Sequence, residues 1–217
     1  DKFDRAFAEY FKGVETLQAA PVMAKIKSLG GKAKFYACDL AEIAECDKLV
    51  ASVLKDLGRC DYLVNNAGRS IRRGIASSFD RFHDFERTMQ LNYFGSLRLI
   101  MGFLPTMMKQ NRGHIINISS IGVLTQAPRF SAYVASKAAL DAWTRCASSE
   151  FADQGITFTT INMPLVRTPM IAPTAIYKNV PTLAPEEAAD MVAQACISKP
   201  VRIATRLGIF GELLHAL

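Results

Sequence analysis

Tyr133 and Lys137 stand at positions i and i+4 of a segment with helical character, so their side chains share one face. Ser120 follows a short apolar run, and Asn92 lies in a long helical stretch before it. These residue types suit acid–base work at a carbonyl oxygen. Reducing a carbonyl takes a hydride donor and a proton donor aimed at the oxygen where charge develops. An isolated tyrosine ionises at about 10, and a lysine cation beside it is expected to lower that value by favouring the phenolate. Tyr133 would then exchange a proton near neutral pH. Ser120 would hydrogen-bond the substrate oxygen, and Asn92 would hold a helix opening and a water that relays protons past Lys137. Each piece alone has a plainer reading. Tyr-x-x-x-Lys arises by chance on ordinary helices, a serine pair after a strand makes a turn, and Asn65-Asn66-Ala67-Gly68 is turn chemistry. Their order and placement together argue for a site.

The elements that must position these residues alternate from about Lys32 onward. Residues 34–38 read as a short strand, 43–57 as an amphipathic helix, and 61–64 as an apolar strand running into the Asn65–Gly68 turn. Residues 79–108 read as one long helical stretch that Pro105 should end or kink. A buried-type strand follows at 114–118, a helix at 130–151 and another strand at 156–161. Pro185 opens a helix over 185–197, and 201–204 is a last short strand. Apolar strands separated by helices imply an α/β fold with a parallel sheet covered on both faces. Ligands bind such sheets beyond the carboxyl ends of the strands. Asn65, Ser120 and Pro164 each fall just after a strand and converge on that edge. The segment before Lys32 breaks the rhythm. Phe3, Phe7, Tyr10, Phe11 and Val14 mark a helical apolar stripe, Ala19-Ala20-Pro21 interrupts it, and 22–29 reads as the end of a helix closed by Gly30-Gly31.

In this order the motifs resemble the short-chain dehydrogenase/reductases, a one-domain Rossmann family. The matching pieces are Asp39-Leu40, Asn65-Asn66-Ala67-Gly68, Asn92-Tyr93-Phe94-Gly95, Ile116-Asn117-Ile118-Ser119-Ser120, Tyr133-Val134-Ala135-Ser136-Lys137 and Asn162-Met163-Pro164, spanning roughly residues 22–205. The resemblance implies a doubly wound parallel sheet and an NAD(P)(H)-dependent oxidoreductase. By it, Asn92, Ser120, Tyr133 and Lys137 form a catalytic tetrad, the last two also touching the cofactor. Asp39 and Leu40 flank the adenine, Asn65, Asn66, Ala67 and Gly68 support the cofactor, and Pro164, Val166 and Thr168 embrace its nicotinamide end. The family's usual glycine after that proline is Leu165 here, which alters the loop.

A closer resemblance, to the reductase module of bacterial fatty acyl-CoA reductases, is carried by residues 79–89, 69–73, 163–173 and 199–206. It implies NADPH as cofactor, with NADH as the alternative, and a fatty acyl-CoA thioester or long-chain aldehyde as substrate. Arg69, Arg72 and Arg73, following the Asn65–Gly68 turn, would meet CoA phosphates or a 2′-phosphate, an ordinary solvated surface being the plainer reading. Met170, Ile171, Ile176, Tyr177 and Leu183 would suit an acyl chain, ordinary packing being the plainer reading. The resemblance also implies a homo-oligomer and a reductase module fused behind another module. Residues 1–20 would then be an inter-module linker, or simply an N-terminal helix, ahead of a dehydrogenase domain over 22–217. Two other functions stay open: a dehydrogenase of the same family acting on a ketone or secondary alcohol, and a non-catalytic dinucleotide-fold binding module.

One expected part is missing. The family opens with a glycine-rich turn between its first strand and helix, which lets backbone approach the pyrophosphate. Gly30-Gly31 precedes a strand instead, and Gly208 and Gly211 come too late. The first two strands are also absent, and losing a central strand leaves backbone groups unpaired inside a protein. A piece of roughly 40–50 residues, the size of such a unit with part of a helix, is therefore expected to be missing between about Ala20 and Val22. A genuinely deleted protein would be a poor nucleotide binder. A chain that opens on Asp1 is itself expected to be a fragment, a processed product or an incomplete sequence.

Bulk properties narrow the partners. Half of the 217 residues are hydrophobic and 21% are charged, enough for a sizeable core and against disorder. The net charge of +6 comes without zinc-finger spacing or an RNA-binding signature, so nucleic acid is not an expected partner. The charge suits a phosphorylated ligand or an ordinary solvated surface. Five cysteines without Cys-x-x-Cys fit a reducing compartment, hence the cytoplasm. His83, His114 and His215 show no ligand spacing, so no metal site is expected. No uncharged apolar stretch is long enough to span a bilayer, although the apolar 207–217 segment leaves peripheral membrane contact open.

Overall fold

The computed structural model describes residues 19–169, 171, 177 and 179–216. The chain divides into two compact units, Asp1–Cys38 and Asp39–Leu217. In the first, helix α1 spans Ala19–Ser28. Pro21 falls in its first turn, where a missing N–H costs nothing. The expected helix end is there: Gly30 takes φ 80°, and Gly31 N–H donates to Ile26 O at 2.9 Å. The strand expected at 34–38 is not. Extended chain becomes a strand only through a ladder, and these residues belong to none of the four described strands. The apolar stripe from Phe3 to Val14 lies outside the described residues.

The second unit runs α2 (Ile43–Leu57), β1 (Tyr62–Asn65), α3 (His83–Met89), α4 (Ser96–Lys109), β2 (Gly113–Ile118), α5 (Ile121–Leu124), α6 (Ser131–Glu150), β3 (Ile156–Asn162), α7 (Pro185–Ser198), β4 (Arg202–Ala204) and α8 (Arg206–Ala216). A wide π turn, Gln90–Gly95, joins α3 to α4 without a break. Pro105 was expected to end or kink this stretch, yet α4 runs on to Lys109. One lost backbone bond is outweighed by the buried face of Leu99, Ile100, Phe103, Leu104 and Met107. At α7, Pro185 takes the first helical position and Glu187 reaches back to accept from Ala184 N–H at 2.7 Å.

The sheet is all parallel, in the order β1-β2-β3-β4. Helices cover both faces, which makes it a doubly wound, Rossmann-type sheet. The α2, α4 and α6 side holds the larger core, and α7 covers the other face through Met191, Val192, Ala195 and Cys196. Gly102 lets α4 lie close on α2, since a Cβ there would stand 2.7 Å from a Val50 methyl. Among the described residues β1 is one edge of the sheet, with the apolar Tyr62 and Val64 exposed. That edge is where the absent opening strand–helix–strand unit of such a sheet would pair.

Strand alternation sends Leu63, Ile115 and Phe158 to the α6 side, in register with one another. The next residues on that side are polar: Asn65, Asn117 and Thr160, again in register, and then Asn162. The layer therefore changes from apolar to polar toward the carboxyl ends of the strands.

Candidate active site

Ser119 and Ser120 leave the end of β2. Ser120 caps α5, its Oγ accepting from Gly122 N–H at 3.0 Å, and its hydroxyl pulls on the ionisation of Tyr133 in the first turn of α6. One turn on, Lys137 is buried and its Nζ donates to Ile118 O at 2.7 Å. Asn92 sits in the π turn, fully buried. Its amide brackets the backbone of Arg69: Oδ1 accepts from Arg69 N–H at 2.8 Å, and Nδ2 donates to Arg69 O at 2.9 Å. Nδ2 also donates to Ser136 Oγ at 2.9 Å, and that hydroxyl donates to Tyr133 O at 2.7 Å. The helix opening expected at Asn92 is thus present, held from two sides. Gly68 closes the cluster. A Cβ there would lie 3.3 Å from both Asn92 Oδ1 and Lys137 Nζ, so only bare backbone passes comfortably. The structure brings Asn92, Ser120, Tyr133, Lys137 and Gly68 together from four separate stretches of chain.

The electrostatics correct one expectation. Tyr133 was expected to ionise below its ordinary value because of Lys137. Burial instead pushes its hydroxyl up, Ser120 pulls partly back, and Tyr177 and Asp141 push further up. The lysine is itself desolvated: burial lowers its pKa to about 8, against an opposing pull from Asp141.

The other expected residues are placed unevenly. Asn65 Nδ2 donates to Asn117 Oδ1 at 2.8 Å, and Asn117 Nδ2 donates to Thr144 Oγ1 at 2.9 Å, so the Asn65 side chain is used inside the fold. Asn66 and Ala67 are exposed at the strand end. Asp39 is pinned before α2, its carboxylate accepting from Ala41 N–H and its own N–H donating to Glu45, while Leu40 packs on the larger core. After β3, the loop with Pro164, Val166 and Thr168 folds back on Leu183 through a bridge at Val166. Arg73 donates to the buried Asp84 at 3.0 Å, which Arg81 and Arg87 also engage. Arg72 acts on Tyr177. Met170 and Ile176 lie outside the described residues.

Sequence reading assigned no role to Ser119, Ser136 and Asn162, which lie in the matching motifs, and missed Asp141. Ser119 Oγ donates to Asp141 Oδ2 at 3.0 Å, and Asn162 Nδ2 reaches both Asp141 Oδ2 and Ser120 O at 3.4 Å. The available signal was an acid four residues past Lys137 on its helical face. Among the described residues no His, Cys, Asp or Glu cluster suits a metal ion. The His114 ring is spent on Thr157 and Thr159.

A parallel sheet with a serine, a tyrosine, a lysine and an asparagine gathered at its carboxyl edge defines a dinucleotide-fold oxidoreductase. The chain belongs to the short chain dehydrogenase family, whose model matches residues 11–177. It is 57% identical over 203 residues to a fatty acyl-CoA reductase of Acinetobacter baylyi, covering 94% of this chain and 68% of that one. A fatty acyl-CoA reductase of Mycobacterium tuberculosis is 49% identical over 194 residues, with 89% and 66% covered. An uncharacterized oxidoreductase of Mycobacterium bovis is 48% identical over 191 residues, with 88% and 56% covered. The chain thus spans between about half and two thirds of the length of these relatives. Among solved structures, a short-chain dehydrogenase from Streptomyces avermitilis superposes with a TM-score of 0.76 at 27% identity, covering 89% of this chain and 78% of that one. A metagenomic short-chain oxidoreductase in complex with NADP gives 0.71 at 29%, with 88% and 81% covered.

The family works with a nicotinamide dinucleotide. The residues here fit its reacting half: the Gly68 backbone lies bare against Asn92 and Lys137, and Tyr133 stands beside them. The glycine-rich turn that would take the pyrophosphate is not in the sequence.

Proposed function

We propose that this protein is an NADPH-dependent reductase of fatty acyl-CoA thioesters or long-chain aldehydes, with Tyr133 as its acid–base group. The observation that carries the reading is the buried Lys137, one helical turn from Tyr133 and set against Asn92 and the bare Gly68 backbone, with Ser120 acting on the Tyr133 hydroxyl. The acyl-CoA part rests on the two relatives of that name. When bound, the dinucleotide supplies the hydride; NADPH rather than NADH rests on the acyl-CoA reductase resemblance, alongside the NADP-bound structural relative.

The chain's own residues do the rest. The Ser120 and Tyr133 hydroxyls donate hydrogen bonds to the substrate carbonyl oxygen and stabilise the charge that develops there. Burial keeps the Tyr133 hydroxyl protonated through neutral pH, so it is loaded to give its proton to that oxygen. Lys137, with its pKa near 8, exchanges a proton close to neutral pH beside the Gly68 turn. A thioester reduced this way is a hemithioacetal, which expels the CoA thiol and leaves an aldehyde. Asp39, Leu40, Asn66, Ala67, Pro164, Val166 and Thr168 are proposed to line the dinucleotide, with Asn65 bracing the turn from beneath.

The wider reading includes a homo-oligomer, fusion to a preceding module, and a cytoplasmic site, the last resting on an odd number of cysteines without Cys-x-x-Cys. No described helix is long and apolar enough to cross a membrane. Peripheral membrane contact is proposed through the exposed Leu207, Phe210, Leu213 and Leu214 of α8.

The test follows NADPH and NADH oxidation with palmitoyl-CoA, a long-chain aldehyde and a simple ketone. Turnover of palmitoyl-CoA with NADPH, reduced about 10²-fold or more in Tyr133→Phe, supports the reading. Turnover of the ketone alone moves the protein to another branch of the family. Failure to bind either dinucleotide makes it a non-catalytic binding module.

A further inference from the structure

We propose that Asp141 is a positioning residue of this site, tying the ends of β2 and β3 together from the helix that carries Tyr133 and Lys137. The proposal rests on the reading that Tyr133 gives its proton to a substrate oxygen. Asp141 lies one turn past Lys137 and is 5% exposed. Its Oδ2 accepts from Ser119 Oγ, beside Ser120, and from Asn162 Nδ2 at the end of β3. That Asn162 nitrogen also reaches the carbonyl of Ser120. Backbone bonds stitch the same seam: Ser119 N–H to Ile161 O at 2.8 Å and Ile121 N–H to Met163 O at 2.9 Å. Ser120 is therefore held on both sides at the point where its hydroxyl acts on that of Tyr133.

Filling space does not account for this carboxylate. A buried acid costs more than two neutral hydrogen bonds return, and an apolar side chain would pack at lower cost. Its second oxygen, Oδ1, has no hydrogen-bond partner among the described residues, nor has Asn162 Oδ1. Both residues line a cavity of about 560 Å³ together with Thr144, Arg145, Thr160 and Arg202.

The carboxylate also acts through charge. Facing it are Lys137 and Arg145 on α6, Arg202 on β4, Glu212 across the cavity on α8, and the Tyr133 hydroxyl. Burial pushes the Asp141 carboxyl above its ordinary value, and the hydrogen bonds from Ser119 and Asn162, then Arg145 and Lys137, pull it back toward the ionised form. In return it favours a cationic Lys137 and a protonated Tyr133. That is the state in which Tyr133 donates.

Two variants separate the roles. Asp141→Asn keeps an oxygen for Ser119 and Asn162 but removes the charge; Asp141→Ala removes both. Tyr133 ionisation is read without turnover from tyrosinate absorbance, as the difference between each background and its Tyr133→Phe version. In Asp141→Asn the Tyr133 titration moves to lower pH. In turnover, Asp141→Ala lowers kcat about tenfold or more with little change in KM. Asp141→Asn recovers most of kcat, and its activity falls off at lower pH than the parent's. An unmoved Tyr133 titration, or an unchanged kcat in folded Asp141→Ala, overturns the proposal. If Asp141→Ala does not fold, the Asp141→Asn titration and pH profile decide. If no carbonyl compound is reduced, the substrate reading fails while the titration still decides the role of Asp141.

Discussion

The α6 side of the sheet has a lower and an upper half that work by different rules. Below, Leu63, Ile115, Ile156 and Phe158 pack against Ile100, Phe103, Leu104 and Met107 of α4. Above, Asn117, Thr160 and Asn162 meet Asp141 and Thr144 of α6, Asn65 is bonded to Asn117, and Lys137 is bonded to the end of β2. Apolar contacts are graded, because each lost methylene costs its own small share. Buried polar contacts are matched in pairs, because losing one partner leaves the other unpaired away from water. The lower half supplies cohesion. The upper half trades cohesion for a fixed arrangement of hydroxyls, amides and one ammonium at the edge where the site lies.

The sharpest stability test of that contrast is Ile115→Ala in the lower half. It should cost about 2–5 kcal/mol in denaturant unfolding while leaving kcat per folded molecule unchanged. A loss of kcat at full folding would show that the two halves are not separable.

Lys137→Met tests the upper half with the opposite sign. The folded chain holds the lysine at about 8 against 10.5 unfolded, so between these values the unfolded chain binds more protons. Wild-type stability should therefore rise with pH across that window, with the penalty fully present below it. Lys137→Met removes the penalty. At pH 7 it should be inactive yet more stable by about 1–3 kcal/mol, after allowing for the donor lost to Ile118 O. The gain should shrink from pH 8 upward, and equal stability at pH 7 would refute a desolvated lysine.

Asn117→Leu is the smallest change. It fills the space but unpairs the Asn65 amide and leaves the Thr144 hydroxyl only its bond to Leu140 O, and should cost about 1–3 kcal/mol. A neutral result would mean that the upper polar layer is as interchangeable as the apolar one below.

Much of this arrangement was legible in the chain. The bounds of α2, β2, β3 and α7 fell within a residue or so of expectation, because their apolar periodicity and flanking glycines and prolines are local signals. Pro105 does not end the helix, since the penalty of one proline is local while the burial that overrides it comes from α2, β2 and α6. Residues 34–38 form no strand for the converse reason: β-type composition makes none without a partner to pair with.

By itself the sequence determined which side chains share a face. Tyr133, Lys137 and Asp141 fall on one stripe of α6 because helix geometry depends only on spacing. It also determined that Asn65, Ser120 and Pro164 leave strands at a common edge. Only the tertiary structure decided what those groups are. It paired Asp141 with Ser119 and Asn162, opened the helix at Asn92 around the Arg69 backbone, and raised Tyr133 while lowering Lys137. Burial and long-range partners set protonation and hydrogen bonding, and neither is written in the residues next door.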